Sequence, residues 1–135
     1  MNPFFYFKLY LLTTLTFFLI DMFWLGFVAK NLYQNHIGHL MADKVYWTPA
    51  IVFYLLYIVG ILVFAVLPQL QGGTWQQAAV WGALFGFFTY MTYDLTNLAT
   101  LKNWSHLVAV ADIIWGTVLC ASVATVSFFI GKWLL

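Results

Sequence analysis

Four apolar stretches, each long enough to cross a bilayer, constrain this chain more than any other feature, and they cover about residues 4–29, 49–68, 75–98 and 106–130. A membrane-crossing helix needs about 20 residues. Backbone groups in lipid must find partners within their own segment, so these stretches are expected to be helices and not strands. The connections are short except for residues 30–48, which predicts antiparallel neighbours. The expected fold is therefore all-α: a polytopic membrane protein, an antiparallel four-transmembrane-helix bundle forming a single transmembrane domain over residues 1–135.

Local signals support these limits. Lys30 stops the first run, which is too long for a signal-peptide core and lacks a small-x-small site, so it is expected to be a retained span. Thr48 is expected to cap the second helix, with Pro49 in its first position. Gly72 and Gly73 mark a turn, and Thr74-Trp-Gln-Gln77 has the pattern of a capping box opening the third helix.

Composition excludes several functions. Charged residues make up 7% of the chain, against about 25% in a soluble domain. The net charge of +1 offers no basic surface for nucleic acid. With no arginine, bidentate recognition of phosphate by guanidinium is ruled out. The lone Cys120 permits no intrachain disulfide.

Against this background the acids stand out. Of four acidic residues, Asp21, Asp94 and Asp112 lie inside apolar runs. A carboxyl group in a span costs at least ~2.5 kcal/mol on insertion scales, so each is a functional candidate. Asp21 lies nine residues before Lys30, Asp94 eight before Lys102, and Asp112 ten after it. At 1.5 Å per residue all three sit about 12–15 Å from one membrane face. Tyr54 and Tyr57 of the second helix reach a similar level, while Tyr90, Asp94 and Asn97 share a face at i, i+4, i+7. Thr14 is placed two turns before Asp21 on the same side. Asp21 with Trp24 and Asp112 with Trp115 repeat a D-x-x-W pair. Gly82 with Gly86, and Gly116 with Cys120 and Ala124, form small-residue stripes that let helices approach closely in lipid.

Three carboxyls without a lysine at their depth cannot all stay ionised, so the layer must hold protons, a cation or a cationic ligand. Trp24 and Trp115 either cage an organic cation or donate N–H bonds to the carboxyls. Elsewhere, His36, His39 and Asp43 offer a candidate metal set in the first loop, if one helical turn carries both histidines. The competing reading is an interfacial amphipathic segment in which Leu32, Tyr33, Ile37, Leu40 and Met41 are apolar. Lys30, Lys44 and Lys102 outnumber Lys8 and Lys132, which favours a cytoplasmic location for loops 30–48 and 99–105.

The strings Tyr93-Asp-Leu-Thr-Asn-Leu-Ala-Thr100, Asp112-Ile-Ile-Trp-Gly116, Asp21-x-x-Trp24 and Pro49-Ala-x-x-Phe-Tyr54 resemble the bacterial predicted inner-membrane protein family DUF2177, across nearly the whole chain. The resemblance implies a four-helix, multi-pass protein of the bacterial inner (cytoplasmic) membrane and supplies no catalytic residues.

The leading expectation is a small membrane protein, working as a homodimer in the lipid bilayer. It would bind or translocate a proton, a cation or a cationic small molecule at the aspartate layer. The alternatives are an intramembrane lipid- or quinone-modifying enzyme pairing Asp94 with Tyr57 or Tyr90, or a subunit of a larger membrane complex.

Overall fold

The computed structural model describes all residues, 1–135, and contains helices and no strands. Helix α1 spans Pro3–Phe23 and runs on through a π-helical turn, Trp24–Val28. A short α2, Leu32–Ile37, and a 3₁₀ turn, Gly38–Leu40, follow. Helix α3 covers Trp47–Ile61, passes through a second π-helical turn, Leu62–Val66, and continues as α4, Leu67–Leu70. Helix α5 is Trp75–Thr100 and α6 is His106–Leu134.

Three of the four expected spans, Pro3–Val28, Trp47–Leu70 and His106–Leu134, are long and apolar enough to cross a membrane. Helix α5 matches them in length, but Gln76, Gln77, Thr89, Thr92, Thr96 and Asn97 make it more polar. Large apolar side chains such as Leu19, Phe27, Leu56 and Ile114 are exposed on the outer faces. A helix apolar on all sides suits lipid and not water.

Helix α6 lies at the centre. Its buried residues include Ala109, Asp112, Gly116, Cys120, Val123, Ser127 and Gly131, spaced three or four apart, so they form one stripe along the helix. It packs against α1, α2, α4 and most extensively α5. The small-residue stripes make the α5–α6 approach so close. A Cβ built on Gly82 would meet the Cys120 carbonyl oxygen at 2.5 Å, and one on Gly86 would run into the Gly116 carbonyl oxygen. Towards the other end of the α1–α6 contact, Thr13 and Ser127, both fully buried, share a 2.6 Å hydrogen bond.

Two boundaries differ from the sequence-based expectation. Helix α3 begins at Trp47, capped by Tyr46 without a side-chain bond, so Thr48 and Pro49 lie inside its first turn. That turn needs no N–H partners within the helix, so it tolerates proline there. Pro68 does not end the segment either. A proline removes one backbone bond and crowds the preceding turn. Here the turn before it widens, with the Leu67 N–H bonding the Leu62 carbonyl, and the rod continues to Leu70.

The first loop also departs from the expected single helical turn. Helix α2 stops at Ile37, and Gly38–Leu40 forms a 3₁₀ turn, so His36 and His39 lie on different elements. No group of three His, Cys, Asp or Glu side chains comes together anywhere in the chain. The candidate metal set of His36, His39 and Asp43 is thus not assembled, and His36 Nδ1 instead lies 2.9 Å from the Leu32 carbonyl oxygen of its own helix.

Candidate functional site: a carboxyl pair beneath an aromatic cleft

The three aspartates are buried, and each occupies a different environment. Asp94 lies about six residues before the end of α5, Asp112 about six after the start of α6, and Asp21 about seven before the end of the α1 rod. Each is therefore roughly 9–11 Å inside its helix end.

Asp21 and Asp112 are joined by a circuit of aromatic donors. Trp115 donates its indole N–H to Asp21 Oδ1 at 3.2 Å. Trp24 donates to the Tyr33 hydroxyl at 3.0 Å, and that hydroxyl donates to Asp112 Oδ1 at 2.8 Å. The two indoles stack face to face, with centroids 4.6 Å apart and planes 6° from parallel. The repeated D-x-x-W pair explains the arrangement. At i, i+3 each tryptophan lies beside its own aspartate, yet Trp115 reaches across to Asp21 of α1, and Trp24 reaches Asp112 only through Tyr33 of α2. Such a stack leaves no space for a cation between the rings, so Trp24 and Trp115 act as donors and not as a cage. Tyr54 completes the Asp21 environment with a long 3.5 Å bond to Oδ2.

Asp94 has no such support. It is 0% exposed, and neither Oδ1 nor Oδ2 has a hydrogen-bond partner. The polar side chains acting on it are those of Asp112 and Trp104. Trp104 follows Asn103, which adopts a left-handed φ of 64° that asparagine tolerates. Its indole N–H is buried and aligned with no acceptor. The Asp94–Asp112 carboxyl pair is therefore missing donors, and none of the partners bound to the aspartates is cationic.

The remaining predicted residues are spread around this pair. Tyr57 bonds not to an acid but to Thr89 Oγ1 at 2.7 Å and Cys120 Sγ at 3.1 Å. Tyr90 packs its ring on Gly116 and against Tyr57, with centroids 6.3 Å apart. Asn97 is half-buried next to Tyr93 and bonds to none of the aspartates. Thr14 turns its hydroxyl to the Tyr10 carbonyl of its own helix, which leaves the buried position to Thr13. A cleft of about 330 Å³ opens above Asp112, lined by Phe53 and Tyr57 of α3, Thr89, Tyr90 and Tyr93 of α5, and Asp112 itself.

Tyr33 is the main residue that the sequence pattern did not reveal. It reads as one apolar position of an interfacial segment, and nothing in its neighbours marks a bond to Asp112, 79 residues away. Burial, followed by the charge of Asp112, holds its phenol above the ordinary range. The stabilisation this represents is complete below the unfolded phenol's pKa of about 10 and is lost as pH rises above it. Tyr33→Phe removes the donor to Asp112 and the acceptor of Trp24. It is expected to cost about 1–3 kcal/mol at neutral pH, measured by denaturant unfolding in detergent. The penalty should shrink above pH 10.

Fold and site together define a small all-helical membrane protein with buried carboxyl groups under an aromatic cleft. The chain belongs to the predicted membrane protein family DUF2177, which matches residues 6–129. No curated protein and no solved structure matches it.

Proposed function

We propose that this chain is a four-span, antiparallel protein of the bacterial inner membrane that binds a cation in exchange for a proton at the Asp94–Asp112 pair. The observation that carries this reading is the Asp94 carboxyl, fully buried beside a second carboxyl, with no aligned hydrogen bond to either oxygen and the Trp104 indole as the neighbouring donor group. Two buried carboxylates side by side without a counter-charge are too costly to persist. The pair then holds a proton or a cation, and the proposed chemistry is exchange of one for the other.

The roles divide accordingly. Asp94 and Asp112 hold the exchanging charge. Asp112 keeps one oxygen fixed by Tyr33 while it lines the cleft from which a ligand arrives. Asp21, Trp115, Trp24 and Tyr54 fix the α1–α6 register around the pair. An acid–base enzyme is less well supported. The Tyr57 hydroxyl is already engaged by Thr89 and Cys120. On this reading the lysines of loops 30–48 and 99–105 keep those loops in the cytoplasm, and the exposed apolar faces of α5 and α3 leave room for a second copy to complete a pathway.

The test is proton release. Purified protein in weakly buffered detergent should release up to one proton per site when sodium or an organic ammonium ion is added, and Asp94→Asn should release none. Absence of release with every cation tried would overturn the proposal.

A further inference from the structure

We infer that the ligand of this site is an organic ammonium ion carrying a flat apolar group, seated in the cleft between α3 and α5 with its charge on Asp112. The inference rests on the cation-exchange reading above and names its substrate class.

The lining of the cleft decides between kinds of cation. Hard inorganic ions need many oxygen ligands, six to eight for calcium and a near-ideal octahedron for magnesium. Here the lining oxygens without a hydrogen bond are the Tyr90 and Tyr93 hydroxyls and Asp112 Oδ2, fewer than such an ion needs. Thr89 Oγ1 is committed to the Phe85 carbonyl and to Tyr57, and the Tyr57 hydroxyl to Thr89 and Cys120. Asp112 Oδ1 accepts from Tyr33. What the walls offer in quantity is aromatic surface, the rings of Phe53, Tyr57, Tyr90 and Tyr93 around one carboxyl. Aromatic faces attract ammonium groups and pack against flat apolar ones.

Shape and placement agree. The volume of about 330 Å³ is at the small end for ligand cavities, enough for an ammonium head and a single ring. Helix α5 meets the α3–α4 rod mainly through the π-helical turn Leu62–Val66, and Phe53 of α3 faces the same cleft as Tyr90 and Tyr93 of α5. Phe53 and Tyr93 form the rim, 47% and 55% exposed. In a bilayer that rim faces acyl chains, so the ligand's apolar part remains in an apolar setting while its charge reaches Asp112. Next to Asp112 is Asp94, fully buried and with no aligned hydrogen bond, which gives the cation a second carboxyl to neutralise.

The experiment compares benzyltrimethylammonium, tetramethylammonium and sodium, using calorimetric titration and proton release on protein in lipid nanodiscs. Protein-free nanodiscs correct for partitioning. The ring-bearing ion should bind about tenfold more tightly than either of the others, as an added aromatic contact implies. Phe53→Leu and Tyr93→Leu, which keep apolar bulk at exposed positions, should each remove most of that advantage while leaving the melting temperature near wild type. Equal affinity for the three ions, or preference unchanged in both variants, would overturn the inference. Proton release by sodium alone would overturn it and leave cation exchange standing. Release by none of the three would remove both.

Discussion

Gly86→Leu is expected to destabilise the protein by about 3 kcal/mol, measured by denaturant unfolding in detergent. The first atom beyond Cα already meets the Gly116 carbonyl oxygen, and Gly116 is itself pressed against the Tyr90 ring. Backbone cannot swing aside as a flexible side chain can, so α5 and α6 must separate. That contact is the most extensive in the molecule, and it holds Asp94 against Asp112. In lipid, helix association relies on such close packing of small residues. Gly26 is the control. A Cβ there meets nothing within 4 Å, so Gly26→Ala should be neutral or stabilising by up to about 1 kcal/mol. A Gly86→Leu protein as stable as wild type would show that the two helices are not packed backbone to backbone.

Asp94→Val has the second large effect, in the opposite direction. Valine and aspartate have similar helix propensities, so the change mainly replaces a buried, unpartnered carboxyl with an apolar group. Removing a buried polar group that lacks a partner recovers its desolvation cost, about 1–3 kcal/mol. Asp94→Val should therefore raise stability and abolish cation-dependent proton release. Asp21→Val should behave differently, because it leaves the Trp115 N–H without its acceptor and is expected to cost about 1–3 kcal/mol. The contrast separates a carboxyl kept for ligand binding from one kept for architecture. If Asp94→Val destabilised the protein as much as Asp21→Val, Asp94 would be structural.

What could be read from the sequence follows from which forces are local. Helical segments and small-residue stripes depend on spacing along one helix, and the structure has Gly82 and Gly86 set against the α6 backbone as that spacing implies. The acids were conspicuous because charge is so rare in this chain. Their individual environments were not legible. Each D-x-x-W pair marks a face, but the crossed pattern, in which Trp115 serves Asp21 and Trp24 reaches Asp112 through Tyr33, depends on how two distant helices meet. The stack that removes the cage reading of Trp24 and Trp115 depends on the same meeting. Tyr57 lines the cleft with Asp112, yet Thr89 and Cys120, from two other helices, take its hydroxyl. The backbone leaves the α region at Ile37, with φ of −132°, which breaks the turn that the candidate histidine ligands need. The widened turn before Pro68 was hidden because proline alone usually reads as a stop.

In the proposed exchange, one proton resides on the Asp94–Asp112 pair and leaves when a cation arrives. Infrared difference spectroscopy of the protein at neutral pH, with and without benzyltrimethylammonium, addresses it most directly. Wild type should show a protonated-carboxyl carbonyl stretch that disappears on addition of the ion, and Asp94→Asn should show no such change. A spectrum with no protonated carboxyl before the ion is added, or a band that is unmoved by it, would contradict the account.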